Sequence, residues 1–186
     1  MLFYYPNRPI LIPPDEAHIR SLEATGDYIA EKKWNGDNIT LNTDTMGIRN
    51  RYNQPHRFVP DEIMREELSQ WPKHACINAE LMNYKTKDTK NLIIAHCVMA
   101  WRGKPLIGKT WGDSRKILED MPSGISVQVN QVYESGFWDL FQTADGKTIE
   151  GIILKKPAGK LIFSTTPIAD VPWMLKVRKP CKKYQF

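Results

Sequence analysis

Cysteine is scarce in this chain: 186 residues include three, Cys76, Cys97 and Cys181. Their number is odd and no two form a CxxC pair. That excludes a disulfide framework and a cysteine-based zinc site, and argues for a reduced, intracellular protein. No apolar run approaches the roughly 20 residues of a membrane span, so no membrane partner is expected. The start, Met1 to Pro6, has no basic region leading into an apolar stretch, which excludes reading it as a signal peptide. A cytoplasmic location follows as the expectation. Internal repeats and low-complexity tracts are absent too, which excludes solenoids and disordered linkers. The serines and histidines show no triad-like arrangement.

What is present belongs to an ordinary globular protein, with 41% hydrophobic and 25% charged residues. The length suits one domain, 1–186, and a real core. The balance of 26 basic against 21 acidic residues gives +5, a mild bias toward a polyanionic partner.

Prolines 6, 9, 13 and 14 predict an extended entry segment over residues 1–14. Asp15 to Leu22 reads as a short helix. Asp61 to Trp71 reads as a helix with Ile63, Leu68 and Trp71 near one face, and Asp113 to Glu119 as a third helix. Strands are expected over 28–32, 38–42, 76–82, 92–101, 126–132, 149–154, 161–163 and 173–177. Residues 179–186 form a basic tail. Strands outnumber helices and their connections are short, so the fold class is α+β, with antiparallel sheets flanked by helices.

Five segments carry chemistry, in this order: Lys33-Trp34-Asn35-Gly36, Gly47-Ile48-Arg49-Asn50, Ala79-Glu80-Leu81, Glu150-Gly151-Ile152-Ile153-Leu154-Lys155, and Trp173 to Lys179. They set a lysine at a strand end beside a tight turn, followed by two carboxylates and several cations. That combination suits transfer of a nucleotide from a triphosphate onto a lysine. Glu80 ends an apolar strand, where an unpartnered carboxylate is costly. In the last segment, alternation puts Lys176 and Arg178 on one strand face and Val177 on the other.

The ordered segments resemble the covalent nucleotidyltransferases: ATP-dependent DNA ligases, RNA ligases and mRNA capping enzymes. The resemblance spans roughly residues 8–179, and within it the chain is similar to a minimal, phage-type DNA ligase adenylation domain with a central nucleotide cleft. It implies that Lys33 is the nucleophile that takes AMP from ATP. Glu31 would contact the adenine amine, and Lys32, Lys155 and Lys176 would help to make the lysine amine reactive. Trp34 would shape the pocket. Arg49 would contact ribose or phosphate, with Arg51 the near alternative. Glu80 would reach the ribose or the metal shell. Glu150 would help bind Mg²⁺ or Mn²⁺, and Lys155, Lys176 and Arg178 would hold phosphates. His96 falls where relatives stack an aromatic on the purine, although a histidine in an apolar strand is equally a core residue. Asn35 replaces the usual aspartate; it keeps an acceptor but loses a charge. Asn38 stands where many DNA ligases have an arginine.

Larger relatives continue into an OB-fold domain, which is not expected here. Grip on nicked double-stranded DNA would then fall to Arg51, Lys85, Lys87 and the tail lysines Lys179, Lys182 and Lys183. The resemblance implies an ATP-dependent polynucleotide ligase acting as a monomer. RNA or hybrid substrates are kept open by Asn35, and a non-catalytic binding module stands as the reading from another class.

Overall fold

The computed structural model describes residues 3–163, 166 and 170–180. In chain order its elements are β1 (Arg8–Ile12), α1 (Glu16–Ala24), β2 (Ile29–Trp34), β3 (Asp37–Asn42), β4 (Gly47–Asn50), α2 (Glu62–Ser69), β5 (Cys76–Met82), β6 (Leu92–Trp101), β7 (Lys104–Pro105), α3 (Trp111–Glu119), β8 (Val127–Val129), β9 (Val132–Tyr133), α4 (Phe137–Gln142), β10 (Ile149–Lys155) and β11 (Asp170–Arg178).

Two sheets organise them. One runs β1-β11-β10-β2-β9, antiparallel except for the parallel β1–β11 pair. The other runs β4-β3-β5-β6-β7, with β8 parallel to β6. This is the expected α+β architecture of curled antiparallel sheets with few helices. The described residues contain no OB-fold domain, and no described helix is long and apolar enough to cross a membrane.

Alternation sorts the side chains of each sheet. On β2, β10 and β11, the residues Ala30, Ile152, Leu154, Leu175 and Val177 face one core with Ile19 of α1 and Phe137 and Phe141 of α4. On β3 and β5, Ile39, Leu41, Ile77, Ala79 and Leu81 face a second core with Met64, Leu68 and Trp71. Three of the helices, α1, α2 and α3, open on a side-chain cap. Asp15 accepts from His18 N at 2.7 Å and Asp61 from Met64 N at 2.9 Å. Thr110 and Asp113 form a reciprocal box at 3.0 and 2.9 Å, which satisfies amides with no helical partner.

Several sequence expectations need correction. The run 126–132 is not one strand: it divides into β8 and β9, which belong to different sheets. The reason lies at Asn130, whose amide donates to Ala95 O at 2.9 Å as the chain crosses between sheets. Residues 161–163 are not a strand; Leu161 and Phe163 are buried in a third cluster with Trp111 and Met99. Ile63 is 51% exposed, and Met64 takes its place in the core. The proline-rich entry contains a real strand, β1. Pro9 is tolerated because β1 lies at the sheet edge and its register shifts there. β4 and α4 carried too little periodicity to be read.

Candidate active site

Between the sheets lies a cavity of about 860 Å³. Lys33, at the end of β2, reaches into it because Glu31 and Lys33 share the pleat opposite Ala30. In register, Gly151 stands between Lys33 and Arg178, and Ile153 between Glu31 and Lys176. One patch of sheet therefore presents Lys33, Arg178, Glu31 and Lys176 together.

Glu150 joins them through an irregularity. Simple alternation would send it to the face opposite Gly151. The β10–β2 register shifts between Ile149 and Gly151, and a bulge of this kind re-aims a side chain. The Glu150 carboxylate then lies 2.5 Å from Lys33 Nζ and 3.3 Å from Arg178 Nε. Gly151 makes this possible. Its φ is 154°, and a Cβ there would sit 2.0 Å from Val177 O.

The turn after the lysine is fixed as closely. A Cβ on Gly36 would lie 2.5 Å from Leu81 O and 2.7 Å from Glu80 Cγ. This approach lets Gly36 N donate to Glu80 Oε1 at 3.0 Å. Asn35 acts as a donor: Nδ2 reaches Lys147 O at 2.7 Å. An aspartate, which has no N–H, could not make this bond.

Glu31 is 1% exposed. Lys155 Nζ lies 2.7 Å from its Oε2, and Arg115 Nη1 is 3.8 Å from its Oε1. A carboxylate so deep needs these partners. Lys155 also sits 4.8 Å over the Trp111 ring. Asn130 links the surroundings. Its carboxamide accepts from Trp34 Nε1 at 3.0 Å, donates to Glu31 Oε2 and Lys32 O at 3.1 Å each, and lies 3.2 Å from His96 Nδ1. His96 stands 3.9 Å from both Glu31 and Glu80. Burial, then the cations Lys155, Lys33 and Arg115, hold its pKa well below the usual imidazole value, so the ring is neutral at pH 7.

Burial pushes the Glu80 carboxyl above its ordinary range, against the opposing pull of Lys33 and Lys85. A carboxyl raised in this way favours folding below its unfolded pKa, and that contribution is lost as pH rises through the folded value. Glu80→Gln keeps an acceptor for Gly36 N without the charge. It is expected to raise the melting temperature near neutral pH, with the gain shrinking as pH falls through the raised folded value and gone once the ordinary carboxylate range is reached. Melting curves of both proteins from about pH 4 to 8 check this; a gain that does not vary with pH would show that charge burial is not the cause.

The remaining candidates divide. Burial lowers the Lys176 pKa, and its Nζ donates to Pro9 O at 2.8 Å. Lys32 falls on the opposite pleat from Lys33, and its carbonyl accepts from Asn130. Arg49 does not line the cavity; its guanidinium is held by Asn53 at 2.8 and 3.1 Å. Arg51 does line it, so the alternative is the better placed of the two. Lys85 is a strut to Gly36 O at 2.5 Å and Asp37 at 3.1 Å, so it is less available to a polyanion. Lys87 is exposed and away from the cavity. Lys179 donates to Gln142 at 3.2 Å and covers Phe141. Lys182 and Lys183 lie outside the described residues. Sequence reasoning missed Asn130 and Arg115; the one available signal was an amide closing the alternating run Val127 to Asn130.

Among the described residues, no group of three or more His, Cys, Asp or Glu could by itself hold a metal. Glu150 and Glu80 provide only hard oxygen donors. That fits Mg²⁺ or Mn²⁺ taken through one or two carboxylates and completed by substrate phosphates and water.

No protein-family model and no curated protein matches the chain. Solved structures do. A Lig E DNA ligase, from work described as DNA binding with a minimal scaffold, superposes with TM-score 0.61 at 13% identity, over 92% of this chain and 68% of that one. The ATP-dependent DNA ligase of bacteriophage T7 in complex with ATP gives 0.53 at 16%, over 94% and 68%. An archaeal ATP-dependent RNA ligase gives 0.52 at 12%, over 86% and 46%. The fold is that of the ligase nucleotidyltransferase domain. The chain spans between 46% and 68% of these three neighbours' lengths. The ligase fold brings the cavity, the strand-end lysine and the flanking carboxylates together in one molecule.

Proposed function

We propose that residues 1–186 form one nucleotidyltransferase domain that joins polynucleotide ends with ATP, with nicked DNA as the substrate. The observation that carries this reading is the Lys33 amine, 2.5 Å from Glu150 in a cavity that also holds Glu80, Lys155, Lys176 and Arg178. Lys33 Nζ attacks the α-phosphorus of ATP. The P–N bond forms, the bond to the bridging oxygen breaks, and pyrophosphate leaves with the electron pair. Glu150 is placed to accept the proton that the amine gives up. Arg178 and Lys176 offset charge that builds on the phosphates. A divalent ion held by Glu150 and Glu80 would add Lewis-acid stabilisation of the phosphoryl oxygens. AMP then passes from Lys33 to a 5′-phosphate, and the adjoining 3′-hydroxyl displaces it to close the strand. The protein acts as a monomer, with Arg51 at the cavity rim toward the nucleic acid.

The likeness to an RNA ligase and the amide at Asn35 favour RNA as the second reading. A panel of nicked DNA, nicked RNA and hybrid duplexes, incubated with ATP and magnesium, tests the choice. Sealing of nicked DNA at the highest rate is the expected result. Preference for nicked RNA would move the assignment to the second reading, and sealing of none would leave a binding module.

A further inference from the structure

Buried polar atoms with no hydrogen-bond partner are few in folded proteins, and each calls for a reason such as a ligand. Among the described residues, all such atoms except Thr40 Oγ1 belong to residues that line the cavity. Asn7 is 9% exposed, and neither its Nδ2 nor its Oδ1 has a hydrogen-bond partner. Glu31 Oε1 and Trp111 Nε1 are also buried and unmatched. All three residues line the cavity. The set comprises two donors, Nδ2 and Nε1–H, and two acceptors, Oδ1 and Oε1.

One wall of the cavity is apolar and carries aromatic rings. Trp111, Leu161 and Phe163 form one cluster, and Tyr4 and Trp173 pack against it. The segment that carries Asn7 therefore lies on the cluster that holds Trp111. It is pinned there by the Arg8–Asp170 ion pair at 3.2 Å and by Lys176 donating to Pro9 O at 2.8 Å. Aromatic and aliphatic walls with interleaved donors and acceptors suit a nucleobase. A phosphate would call for unspent cations at this end, and the Lys155 ammonium is already committed to Glu31.

We propose that Asn7 reads the edge of the purine base and sets the preference for ATP over GTP. This rests on the reading that a nucleotide reacts at Lys33. A carboxamide presents a donor and an acceptor side by side. Adenine answers both, its amino group donating to Oδ1 and its N7 accepting from Nδ2. Guanine presents two acceptors, O6 and N7, along the same edge, which leaves Oδ1 against O6.

The experiment follows nucleotidyl-Lys33 formation with ATP, GTP and 7-deaza-ATP, which lacks the N7 acceptor. Wild-type protein, Asn7→Ala and Asn7→Asp are compared, with melting curves alongside. The expected result is a KM for ATP raised roughly 10- to 100-fold in Asn7→Ala with kcat little changed, and a fall in the ATP-to-GTP preference by a similar factor. Asn7→Asp loses the donor to N7 but keeps the acceptor, so it shows the rise in KM for ATP without the fall in ATP-to-GTP preference. Wild type is expected to use 7-deaza-ATP about tenfold less well than ATP, and Asn7→Ala to use both alike. A purely structural asparagine would depress every nucleotide equally and leave the ratios unchanged, which overturns the proposal. The 7-deaza comparison in wild type decides the matter even if the variants do not fold: equal use of both nucleotides overturns it. Wild type that forms no adduct with any nucleotide would overturn the underlying reading, and this proposal with it.

Discussion

Lys33→Ala is expected to abolish the covalent AMP adduct, with joining activity reduced on the order of 10⁴-fold or more, as for loss of a nucleophile in other covalent enzymes. The expectation follows from the environment of the amine. Among the cavity lysines, Lys155 is spent on Glu31 at 2.7 Å, Lys176 on Pro9 O at 2.8 Å and Lys85 on Gly36 O at 2.5 Å. Lys33 has the Glu150 carboxylate at 2.5 Å as a proton acceptor, and Arg178 lies 3.3 Å from that same carboxylate. Lys33→Arg should fail equally, since a guanidinium stays protonated and has no lone pair to offer. Intact-protein mass after incubation with ATP and magnesium reads the result, on protein first freed of any bound AMP. An adduct that persists in Lys33→Ala would reassign the nucleophile and dismantle the proposed chemistry at this site.

The second large effect concerns stability. Lys155→Met should lower it by about 3–5 kcal/mol, because removing one member of a buried ion pair strands the other. For a chain of this size that corresponds to a melting temperature lower by roughly 6–20 °C. Glu31 is 1% exposed, and after the loss of Lys155 the Asn130 amide, Arg115 at 3.8 Å and the His96 ring at 3.9 Å would remain to it. The double variant Glu31→Gln with Lys155→Met removes both charges and should recover most of the loss, giving a strongly non-additive cycle. Thermal or denaturant unfolding of the four proteins measures it. A cost in Lys155→Met below about 1 kcal/mol would mean that Arg115 and Asn130 already neutralise Glu31. The pair joins fold and site: the same carboxylate that stabilises the sheet also faces the cavity.

Much of this arrangement was legible beforehand. The helix caps Asp15 and Asp61 announced α1 and α2, since each caps its helix as a side-chain acceptor should. Alternation in Trp173 to Arg178 placed Lys176 and Arg178 on one face and Val177 in the core, where the fold has them. β5 and β6 were read with correct ends because long apolar strands leave a continuous signal. Residues 161–163 misled, since burial against Trp111 produces the same apolar pattern as a strand.

The sequence by itself determined the antiparallel α+β character, the pleat that carries Glu31 and Lys33, and the order of the charged segments, because these follow from periodicity and local turn chemistry. Tertiary structure alone decided that a bulge at Glu150-Gly151 turns a carboxylate onto Lys33. It also decided that Arg49 is held by its own loop while Arg51 reaches the cavity, and that Asn130 and Asn7 belong to the site. These outcomes depend on register between strands and on contacts between residues distant in the chain, such as Lys33 with Glu150 and Glu31 with Asn130 and Lys155. Such contacts exist only once both sheets have closed around the cavity.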